Sequence, residues 1–311
     1  KFLGRSIQIT LSSKALNELS EVKTNDGSFS LRSSLYHENF HSMQGAISET
    51  QNKFINPSNL DRFKGKHLNV LDICFGLGYN SALLFRQTMN QSIDLNWFGL
   101  EIDKRPLLYA LKKKPIRDQW DHKVITIFES FLTKNSFEDD LLKCKFLWGD
   151  AREKIREIPH KRMFDLIFLD GFSPMKCPEI WSIEFLSEIV SRLNKNGSVI
   201  TYCSSAAIRL TLKNLGLRIY NIKPLKKDNR NWSSGTFATY DKDLNQFEKN
   251  NFIEELSIME KEHLKTKASI PYRDPFGNRL SSEIITQRIK EQNLSKLPEA
   301  STWRKRWGMT K

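Results

Sequence analysis

Residues 68–80 read LNVLDICFGLGYN, and this stretch decides the fold. Its first seven residues form an apolar run that is typical of a buried strand. Gly76 and Gly78 follow, and a helix is expected from about Asn80. Glycines at such a turn let the backbone approach a ligand closely because they carry no side chain. The stretch therefore predicts the first strand–turn–helix unit of a ligand-binding α/β domain.

Four more apolar segments follow and alternate with helical patterns. Strands are predicted at residues 97–101, 146–150, 164–170 and 198–202, and helices at residues 180–193 and 206–215. Such alternation predicts a parallel, doubly wound sheet with helices on both faces. Two later segments, 216–220 and 235–240, are expected to close the sheet as a β pair.

The 311 residues divide into three predicted parts. Residues 1–66 are polar and form an N-terminal extension with a short hairpin around residues 25–27. Residues 67–242 form the Rossmann-like domain, and residues 243–311 form a basic, helical C-terminal extension that is broken by Pro271 and Pro275. Because the chain opens on Lys1 rather than Met, we expect that its natural start lies before this residue.

The charge of the chain favours a polyanionic partner. There are 49 Lys and Arg residues against 36 Asp and Glu, which gives a formal net charge of +13. The basic residues cluster at 104–117, 209–230 and 304–306, and the last cluster lies between Trp303 and Trp307. Indole rings beside arginines can stack on nucleotide bases. Nucleic acid is therefore the favoured partner.

Several classes of protein are excluded by composition. No run of 18 apolar residues exists, so we expect no membrane span, and the first residues lack the apolar stretch of a signal peptide. The four cysteines, Cys74, Cys144, Cys177 and Cys203, stand far apart, without the clustering that a zinc site requires. We predict reduced thiols in a cytoplasmic protein without a metal.

Acidic residues stand at or just beyond four of the predicted strands. They are Asp72, Glu101, Asp150 and Asp170. Each could cap a helix instead of binding a ligand. In a doubly wound sheet, however, ligands bind at the carboxyl ends of the strands, where the strand order reverses. Four acids in this position predict a binding site there.

A glycine turn followed by an acid at residue 101 fits two cofactors, a dinucleotide or S-adenosylmethionine. In either case Glu101 can accept hydrogen bonds from both ribose hydroxyls. A dinucleotide site requires G-x-G-x-x-G, and neither possible register of that motif is complete here. Asp72 is also poorly suited to lie near a pyrophosphate, whereas it could face the cationic amine of a methionine moiety. The residues therefore favour S-adenosylmethionine over NAD.

Together these motifs resemble the methyltransferase of the bacterial MnmC-like family, which completes 5-methylaminomethyl-2-thiouridine at the wobble position of tRNA. The resemblance runs in order through residues 26–31, 36–49, 72–80, 101, 149–151, 170–174, 178–181 and 271–275. It implies a class I S-adenosylmethionine-dependent methyltransferase fold, and N-methylation of a 5-aminomethyl-2-thiouridine. Cys74 and Leu77 depart from the family pattern, which has Gly and Thr there.

The resemblance also implies roles for particular residues. Asp170 is the catalytic residue that faces the substrate amine. The cofactor-binding residues are Asp72, Gly76, Gly78, Asn80, Glu101, Asp150 and Ala151, with Glu101 on the ribose and Asp150 on the adenine amino group. The residues expected near the substrate are His41, Ser42, Glu49, Phe172 and Pro174. The tRNA is expected at Lys112, Lys113, Lys114, Lys226, Lys227, Arg230, Arg304, Lys305 and Arg306.

The chemistry of the amine agrees with a carboxylate at residue 170. A primary alkylamine with a pKa near that of Lys is mostly protonated at pH 7, and freeing its lone pair costs roughly 4 to 5 kcal/mol. A carboxylate that accepts this proton and orients the nitrogen addresses the cost directly. The sulfonium cofactor brings its own leaving group, so we expect no metal.

Other functions remain possible on sequence grounds. An aminopropyltransferase shares the fold, but it favours a second acid after the fourth strand, where Ser173 stands, and a charge of +13 suits a polycationic substrate poorly. A dehydrogenase is disfavoured by the glycine turn, and a catalytically silent RNA-binding module by the complete set of strand-end acids. The chain has no second dinucleotide turn for the FAD oxidase domain of bifunctional MnmC-like members, so we expect methylation only, after a separate enzyme installs the aminomethyl group.

Overall fold

The computed structural model describes residues 18–224, 233–240 and 251–309. Near the N-terminus, the strands β1 (Leu19–Lys23), β2 (Phe29–Ser33) and β3 (Glu38–Asn39) form a small antiparallel sheet. The β1–β2 connection passes through Gly27, whose φ of 83° suits a glycine, so the predicted hairpin is confirmed. A helix then runs through α1 (Ala46–Thr50), a π-helical turn (Gln51–Ile55) and α2 (Asn56–Ser58), and a 3₁₀ turn follows at Leu60–Phe63.

The remaining elements follow the predicted alternation of strands and helices, with two additional strands, Ser136–Glu138 and Ile253–Glu255, that the sequence does not predict. In chain order they are β4 (His67–Ile73), α3 (Tyr79–Asn90), β5 (Asp94–Glu101), α4 (Arg105–Lys112), α5 (Lys114–Arg117), α6 (His122–Thr133), β6 (Ser136–Glu138), β7 (Leu142–Trp148), α7 (Ala151–Lys154), β8 (Phe164–Leu169), α8 (Ile183–Val190), β9 (Leu193–Thr201), α9 (Ala206–Asn214), β10 (Arg218–Ile222), β11 (Gly235–Thr239), β12 (Ile253–Glu255), α10 (Ile258–His263), α11 (Ser281–Leu294) and α12 (Ala300–Arg306). The 3₁₀ turns lie at Ile155–Glu157, Pro178–Trp181 and Lys267–Ser269.

Nine of the described strands form one mixed sheet in the order β12-β10-β11-β9-β8-β4-β5-β7-β6. The five central strands, from β9 to β7, are parallel, and the strands outside them are antiparallel to their neighbours. The chain winds outward from β4 through β5 to β7, and then crosses back to β8 on the other side of β4. The strand order therefore reverses between β4 and β8, which is where a doubly wound sheet binds its ligand.

Both faces of the sheet are buried. Along β8, Leu166 and Phe168 pack in one apolar cluster, whereas Ile167 and Leu169 pack in a second cluster on the opposite face. Successive side chains of a strand point to opposite faces, so a continuous apolar run signals helices on both sides. The predicted α/β doubly wound sheet is confirmed.

Several predicted boundaries differ from the structure. The strands predicted at residues 97–101, 146–150 and 216–220 are Asp94–Glu101, Leu142–Trp148 and Arg218–Ile222, and two further differences have a visible cause. The helix expected at residues 180–193 is a 3₁₀ turn followed by α8, because the Ser182 hydroxyl accepts a hydrogen bond from the amide of Phe185 and starts a new helix there. The strand expected at residues 198–202 begins at Leu193, since Leu193 already pairs with Phe164. Polar residues at 194–196 hide this start from a search for apolar runs.

The C-terminal segment completes the sheet as well as covering it. β12 pairs with β10, so one edge of the sheet comes from residues that the sequence assigns to the extension. The buried Arg209 of α9 binds Glu260 of α10 at 2.7 Å and joins the segment to the sheet. None of the described helices is long and apolar enough to cross a lipid bilayer.

Candidate functional site

A cavity of about 820 Å³ opens at the carboxyl ends of the central strands. Its wall includes residues that follow β4, β5 and β8, and the small N-terminal sheet covers it from the other side. Of the predicted site residues, those on the cavity wall are Gly76, Glu101, Asp170, His41, Ser42, Glu49 and Phe172. The structure therefore brings two of the four strand-end acids, Glu101 and Asp170, to one place with the N-terminal motif, whereas Asp72 and Asp150 do not line the cavity.

Asp170 follows β8 directly and is held by Asn80 at the start of α3. The Asn80 side-chain amide donates to Asp170 Oδ2 at 2.7 Å, and its oxygen accepts from the Thr50 hydroxyl at 2.9 Å. Asn80 thus fixes the carboxylate and leaves Asp170 Oδ1 free to face the cavity. Burial raises the pKa of Asp170 to about 8, and the negative charge of Glu49 adds to this shift.

Glu49 and Lys53 form an ion pair on the cavity wall. Lys53 Nζ lies 2.5 Å from Glu49 Oε1, and the Ser42 amide donates to Glu49 Oε2 at 2.6 Å. Burial opposes ionisation of Glu49, but the charge and hydrogen bond of Lys53, together with His41 and the Ser42 amide, outweigh it and lower the pKa. The nearby His41 has a pKa lowered to about 4 by burial, so it is neutral at pH 7. Of Asp170, Glu49 and His41, Asp170 is thus the group whose pKa lies near neutral pH.

Sequence reasoning missed Lys53, although its spacing of four residues from Glu49 on a helix is a recognisable signal. The π-helical turn that carries Lys53 has a local cause. Pro57 has no amide hydrogen to bond the carbonyl of Lys53, four residues earlier, and its ring crowds that carbonyl. The helix widens there, as helices frequently do at functional sites.

The glycine turn explains why a small residue is expected at position 74. Cys74 has a φ of 67°, a left-handed conformation that costs a residue with a Cβ about 1 kcal/mol or more. Gly76 has a φ of 59°, and its amide donates to Glu101 Oε2 at 2.8 Å. Gly78 also has a positive φ, 91°, and a Cβ there would in addition lie 2.6 Å from the Phe75 ring and 2.7 Å from the Phe128 ring. Gly78 therefore allows the aromatic core to pack beneath the turn, and its predicted contact with the cofactor stays a prediction.

Glu101 and Asp72 are buried carboxylates without a cationic partner among the described residues. Glu101 accepts from the amides of Ile102 and Asp103 at 2.8 and 2.9 Å as well as from Gly76. Asp72 Oδ2 accepts from the Ser81 hydroxyl at 2.5 Å, whereas Asp72 Oδ1 is buried and has no hydrogen-bond partner. Burial raises the pKa of both carboxyls to about 7. Glu101 lies on the cavity wall and suits the vicinal hydroxyls of a ribose, as S-adenosylmethionine requires. Asp72 is buried and does not line the cavity, so its predicted contact with the methionine ammonium stays a prediction.

Asp150 is differently placed. It caps α7, which begins at the buried Ala151, by accepting a hydrogen bond from the amide of Arg152. The Arg152 guanidinium binds both carboxylate oxygens: Nη2 donates to Oδ2 at 2.6 Å, and Nε lies 3.1 Å from each oxygen. Arg152 Nη1 also binds the fully buried Asp274 at 2.7 Å. Burial alone would raise the pKa of Asp150, but the hydrogen bonds and charge of Arg152 lower it. Neither Asp150 nor Ala151 lies on the cavity wall, and their predicted contacts with the cofactor stay predictions.

Aromatic rings hold the segment after β8 against the N-terminal sheet. The Phe172 ring stacks on Tyr36 with centroids 4.4 Å apart, and Phe40 packs against its edge at 5.0 Å. Ser173, in the same segment, donates its amide to Glu38 Oε2 at 2.9 Å and its hydroxyl to Oε1. Sequence reasoning missed Glu38, although it lies inside the motif 36–49. Pro174 is buried and lies off the cavity wall.

The predicted tRNA-binding residues that the structure describes lie outside the cavity. They differ in whether a carboxylate pairs with their positive charge. Lys113 pairs with Glu21, and Lys114 with Asp118. Arg306 pairs with Glu262, and the Trp303 ring stacks on His263 at 4.0 Å and is buried, so it is not presented to a base. Among the described residues, no carboxylate pairs with Lys112, Arg304 or Lys305. Lys226, Lys227 and Arg230 lie outside the described residues.

Comparisons with known proteins agree with this arrangement. Residues 114–236 match a family model described as S-adenosyl-L-methionine-dependent methyltransferase. An uncharacterized protein of Methanocaldococcus jannaschii is 30% identical over 294 residues, which is 92% of this chain and 76% of that protein. The bifunctional tRNA 5-methylaminomethyl-2-thiouridine biosynthesis protein MnmC of Pseudomonas fluorescens is 28% identical over 204 residues, or 60% of this chain. This chain spans 30% of that relative's length.

A solved structure matches almost the whole chain. MNMC2 from Aquifex aeolicus superposes with a TM-score of 0.72 and 25% sequence identity, and the match covers 93% of this chain and 94% of the other. The fold, the family model and these relatives agree with one another. The protein is therefore an enzyme that uses S-adenosyl-L-methionine, and the chain belongs to the MnmC-like family of methyltransferases.

Proposed function

We propose that this enzyme methylates the aminomethyl nitrogen of 5-aminomethyl-2-thiouridine at the tRNA wobble position and gives 5-methylaminomethyl-2-thiouridine. The MnmC relatives support the choice of the tRNA nucleoside, and this chain's own residues support the amine chemistry. The observation that carries most weight is Asp170: a cavity-facing carboxyl, fixed by Asn80, at the point where the strand order reverses.

The first task of the site is to free the lone pair of the amine. An alkylammonium with a pKa of about 10.4 passes its proton to a carboxylate of pKa about 8 at a cost of roughly 3 kcal/mol, against roughly 9 kcal/mol for an ordinary aspartate. Asp170 accepts this proton and, because Asn80 holds its Oδ2, keeps the nitrogen oriented. The cofactor supplies an electrophilic methyl group on a sulfonium.

The second task is to bind both reactants in order. Asp72 and Glu101 hold the methionine ammonium and the ribose, and Gly76 keeps this side of the cavity open. Glu49, kept ionised by Lys53, adds a second negative charge near the substrate ammonium, and Phe172 lines the path to it. The basic residues Lys112, Arg304 and Lys305 contribute phosphate contacts on the outer surface. The enzyme acts in the cytoplasm, on tRNA that a separate reaction has supplied with a primary amine.

Nucleoside mass spectrometry tests the proposal. Purified enzyme and S-adenosylmethionine are incubated with two tRNA samples that differ only in carrying 5-aminomethyl-2-thiouridine or unmodified 2-thiouridine at the wobble position. We expect 5-methylaminomethyl-2-thiouridine from the first sample and no methylated nucleoside from the second. Methylation at another nucleoside, or of a free polyamine given as a third substrate, would contradict the proposal.

A further inference from the structure

Tyr202 lines the cavity, but the site described above gives it no role. It follows β9 directly, and its hydroxyl has no hydrogen-bond partner among the residues that the structure describes. This oxygen is also not one of the unpartnered polar atoms that are shut off from solvent. A tyrosine hydroxyl can donate one hydrogen bond and accept others. Tyr202 therefore offers a preformed donor to a molecule in the cavity.

The sheet places Tyr202 beside Asp170. Phe168 of β8 pairs with Ile200 of β9 in parallel register, and both pack in the same apolar cluster. Asp170 and Tyr202 each stand two residues further on, so their side chains are expected on that same face of the sheet. Neighbouring strands lie about 4.8 Å apart. The Tyr202 ring therefore begins next to the carboxylate that binds the amine.

Two contacts hold the Tyr202 ring in place. The fully buried Trp181 meets it edge to face, with ring centroids 6.3 Å apart. Lys53 Nζ lies over the ring, 5.8 Å from its centroid, and the same ammonium binds Glu49. A cation in this position is attracted by the ring face. Tyr202 thus lies beside the Glu49–Lys53 pair as well as beside Asp170.

The strand order places Tyr202 on the substrate side of Asp170. In the order β9-β8-β4-β5, Gly76 follows β4 and Glu101 ends β5, whereas Tyr202 follows β9. Three strand spacings, or about 14 Å, separate the ends of β9 and β5. The residues proposed for the cofactor therefore lie on one side of β8 and Tyr202 on the other. Its hydroxyl is better placed for the substrate than for the ribose of the cofactor.

The proposed substrate carries a hydrogen-bond acceptor next to its amine. In 5-aminomethyl-2-thiouridine the aminomethyl group is attached to C5 of the ring, and the adjacent C4 carries a carbonyl oxygen. When Asp170 binds the amine, this oxygen lies in the same part of the cavity. Asp170 and Glu49, as carboxylates, offer it no proton. Burial raises the pKa of Tyr202, so its hydroxyl keeps its proton at neutral pH and can donate.

We infer that the Tyr202 hydroxyl donates a hydrogen bond to the 4-carbonyl oxygen of the base whose amine Asp170 binds. Tyr202 is thereby a specificity-determining residue, which selects an amine carried on a uracil ring over a simple alkylamine. Trp181 and Lys53 are positioning residues that hold its ring. This inference rests on the proposed function and names the group that recognises the base.

The Lys53 ammonium is the competing donor for the carbonyl oxygen. It binds Glu49 and has further hydrogens to donate. If Lys53 were the true partner of the oxygen, removal of the Tyr202 hydroxyl would leave the preference for a base with a 4-oxygen unchanged.

Methylation of two tRNAs separates these cases. One tRNA carries 5-aminomethyl-2-thiouridine at the wobble position, and the other carries the same nucleoside without its 4-oxygen. We expect the wild type to methylate the first with a kcat/KM about 3- to 10-fold higher, which corresponds to one hydrogen bond between neutral groups. Tyr202→Phe should lose this factor on the first tRNA alone, so the preference disappears. Other effects of the missing oxygen are the same in both proteins and cancel in the comparison.

Tyr240→Phe is the matched control. Tyr240 follows β11, which runs antiparallel to β9, so it lies at the opposite end of the sheet and does not line the cavity. This variant should keep the wild-type preference. Because the Tyr202 hydroxyl bonds no other residue in the described part of the chain, Tyr202→Phe should keep the wild-type melting temperature.

The outcomes distinguish the inference from the proposed function. A preference that persists in Tyr202→Phe, or that is already absent in the wild type, would overturn the inference and leave the proposed function intact. If the wild type methylates neither tRNA, the proposed function fails and the inference fails with it.

Discussion

Asp170 directly follows β8 and Asp150 lies just beyond β7, two parallel strands of the same sheet. The two carboxylates nevertheless have hydrogen-bond partners of different charge. Asp170 meets no cation at hydrogen-bond distance, only the neutral amide of Asn80, and its pKa is raised to about 8. Asp150 is gripped by Arg152, and its pKa is lowered. The surroundings of Asp170 allow its carboxyl to exchange a proton near neutral pH, at a cost in the free energy of folding. The charge of Asp150 is instead used in an ion pair that stabilises the fold. Position at a strand end does not decide between these roles, but the partner does.

Breaking the paired region should have the largest effect on stability. Arg152→Met leaves Asp274, which is fully buried, without its cation, and such losses typically cost about 3 to 5 kcal/mol in the free energy of unfolding. Denaturant unfolding measures it. Arg156→Met, an exposed arginine on the adjoining 3₁₀ turn, is the control and should cost little. Equal losses in the two variants would show that the Arg152 pairs add nothing.

On the unpaired side, removing a carboxylate should affect binding more than folding. Glu101→Ala is expected to weaken binding of S-adenosylhomocysteine by about 1.5 to 3 kcal/mol, because hydrogen bonds to a charged group are lost. Asp103→Asn, two residues later, is the control, since Asp103 is engaged by Arg105. Unchanged affinity in Glu101→Ala, measured by calorimetry, would remove Glu101 from the ribose.

A smaller effect on stability is expected in the glycine turn, next to the carboxylates that have no cationic partner. At Cys74, with a φ of 67°, Gly is free of the strain that any Cβ meets. We therefore expect Cys74→Gly to be more stable than Cys74→Ala by about 1 kcal/mol in chemical denaturation. Because both variants lack the thiol, the loss of its packing contributes equally to both free energies of unfolding and cancels when they are compared. A more stable alanine variant would contradict the backbone argument.

The outer basic surface should give the smallest effect. Replacing Arg304 and Lys305 with Gln should reduce the salt dependence of tRNA binding, by a slope of about 1 for each lost phosphate contact. The control is a second double variant in which Lys290 and Lys296 are replaced with Gln, because it changes the net charge by the same amount. The same reduction in both double variants would mean that only net charge matters.

The sequence predicted most of the fold, since long apolar runs between helical patterns admit few other arrangements. It also predicted which acids stand at strand ends. It did not show that Asp150 is engaged, although its partner Arg152 stands only two residues later, because Arg152 is held in place by Asp274, 122 residues further along the chain. The partner of Asp170, Asn80, is equally hidden, since it lies 90 residues earlier. The proposed division at residues 66 and 242 stays a prediction.

The central claim is that Asp170 takes the proton of the substrate amine, and Asp170→Asn tests it most directly through two measurements on one variant. The asparagine keeps the shape of the side chain but cannot accept that proton, so the single-turnover rate should fall by at least about 100-fold. In the wild type, the rate should rise with pH up to about 8, as the carboxyl ionises.

Stability should move in the opposite direction. The folded protein holds the Asp170 proton up to about pH 8, whereas an unfolded aspartate releases it near pH 4, so the wild type loses stability as pH rises across this interval. Melting temperatures of the ligand-free proteins should therefore show Asp170→Asn at least as stable as the wild type at pH 8, with a smaller advantage at pH 5. The predicted result is a variant that has lost its activity and whose stability relative to the wild type is greater at pH 8 than at pH 5. A destabilised Asp170→Asn that keeps most of its single-turnover rate would contradict the account.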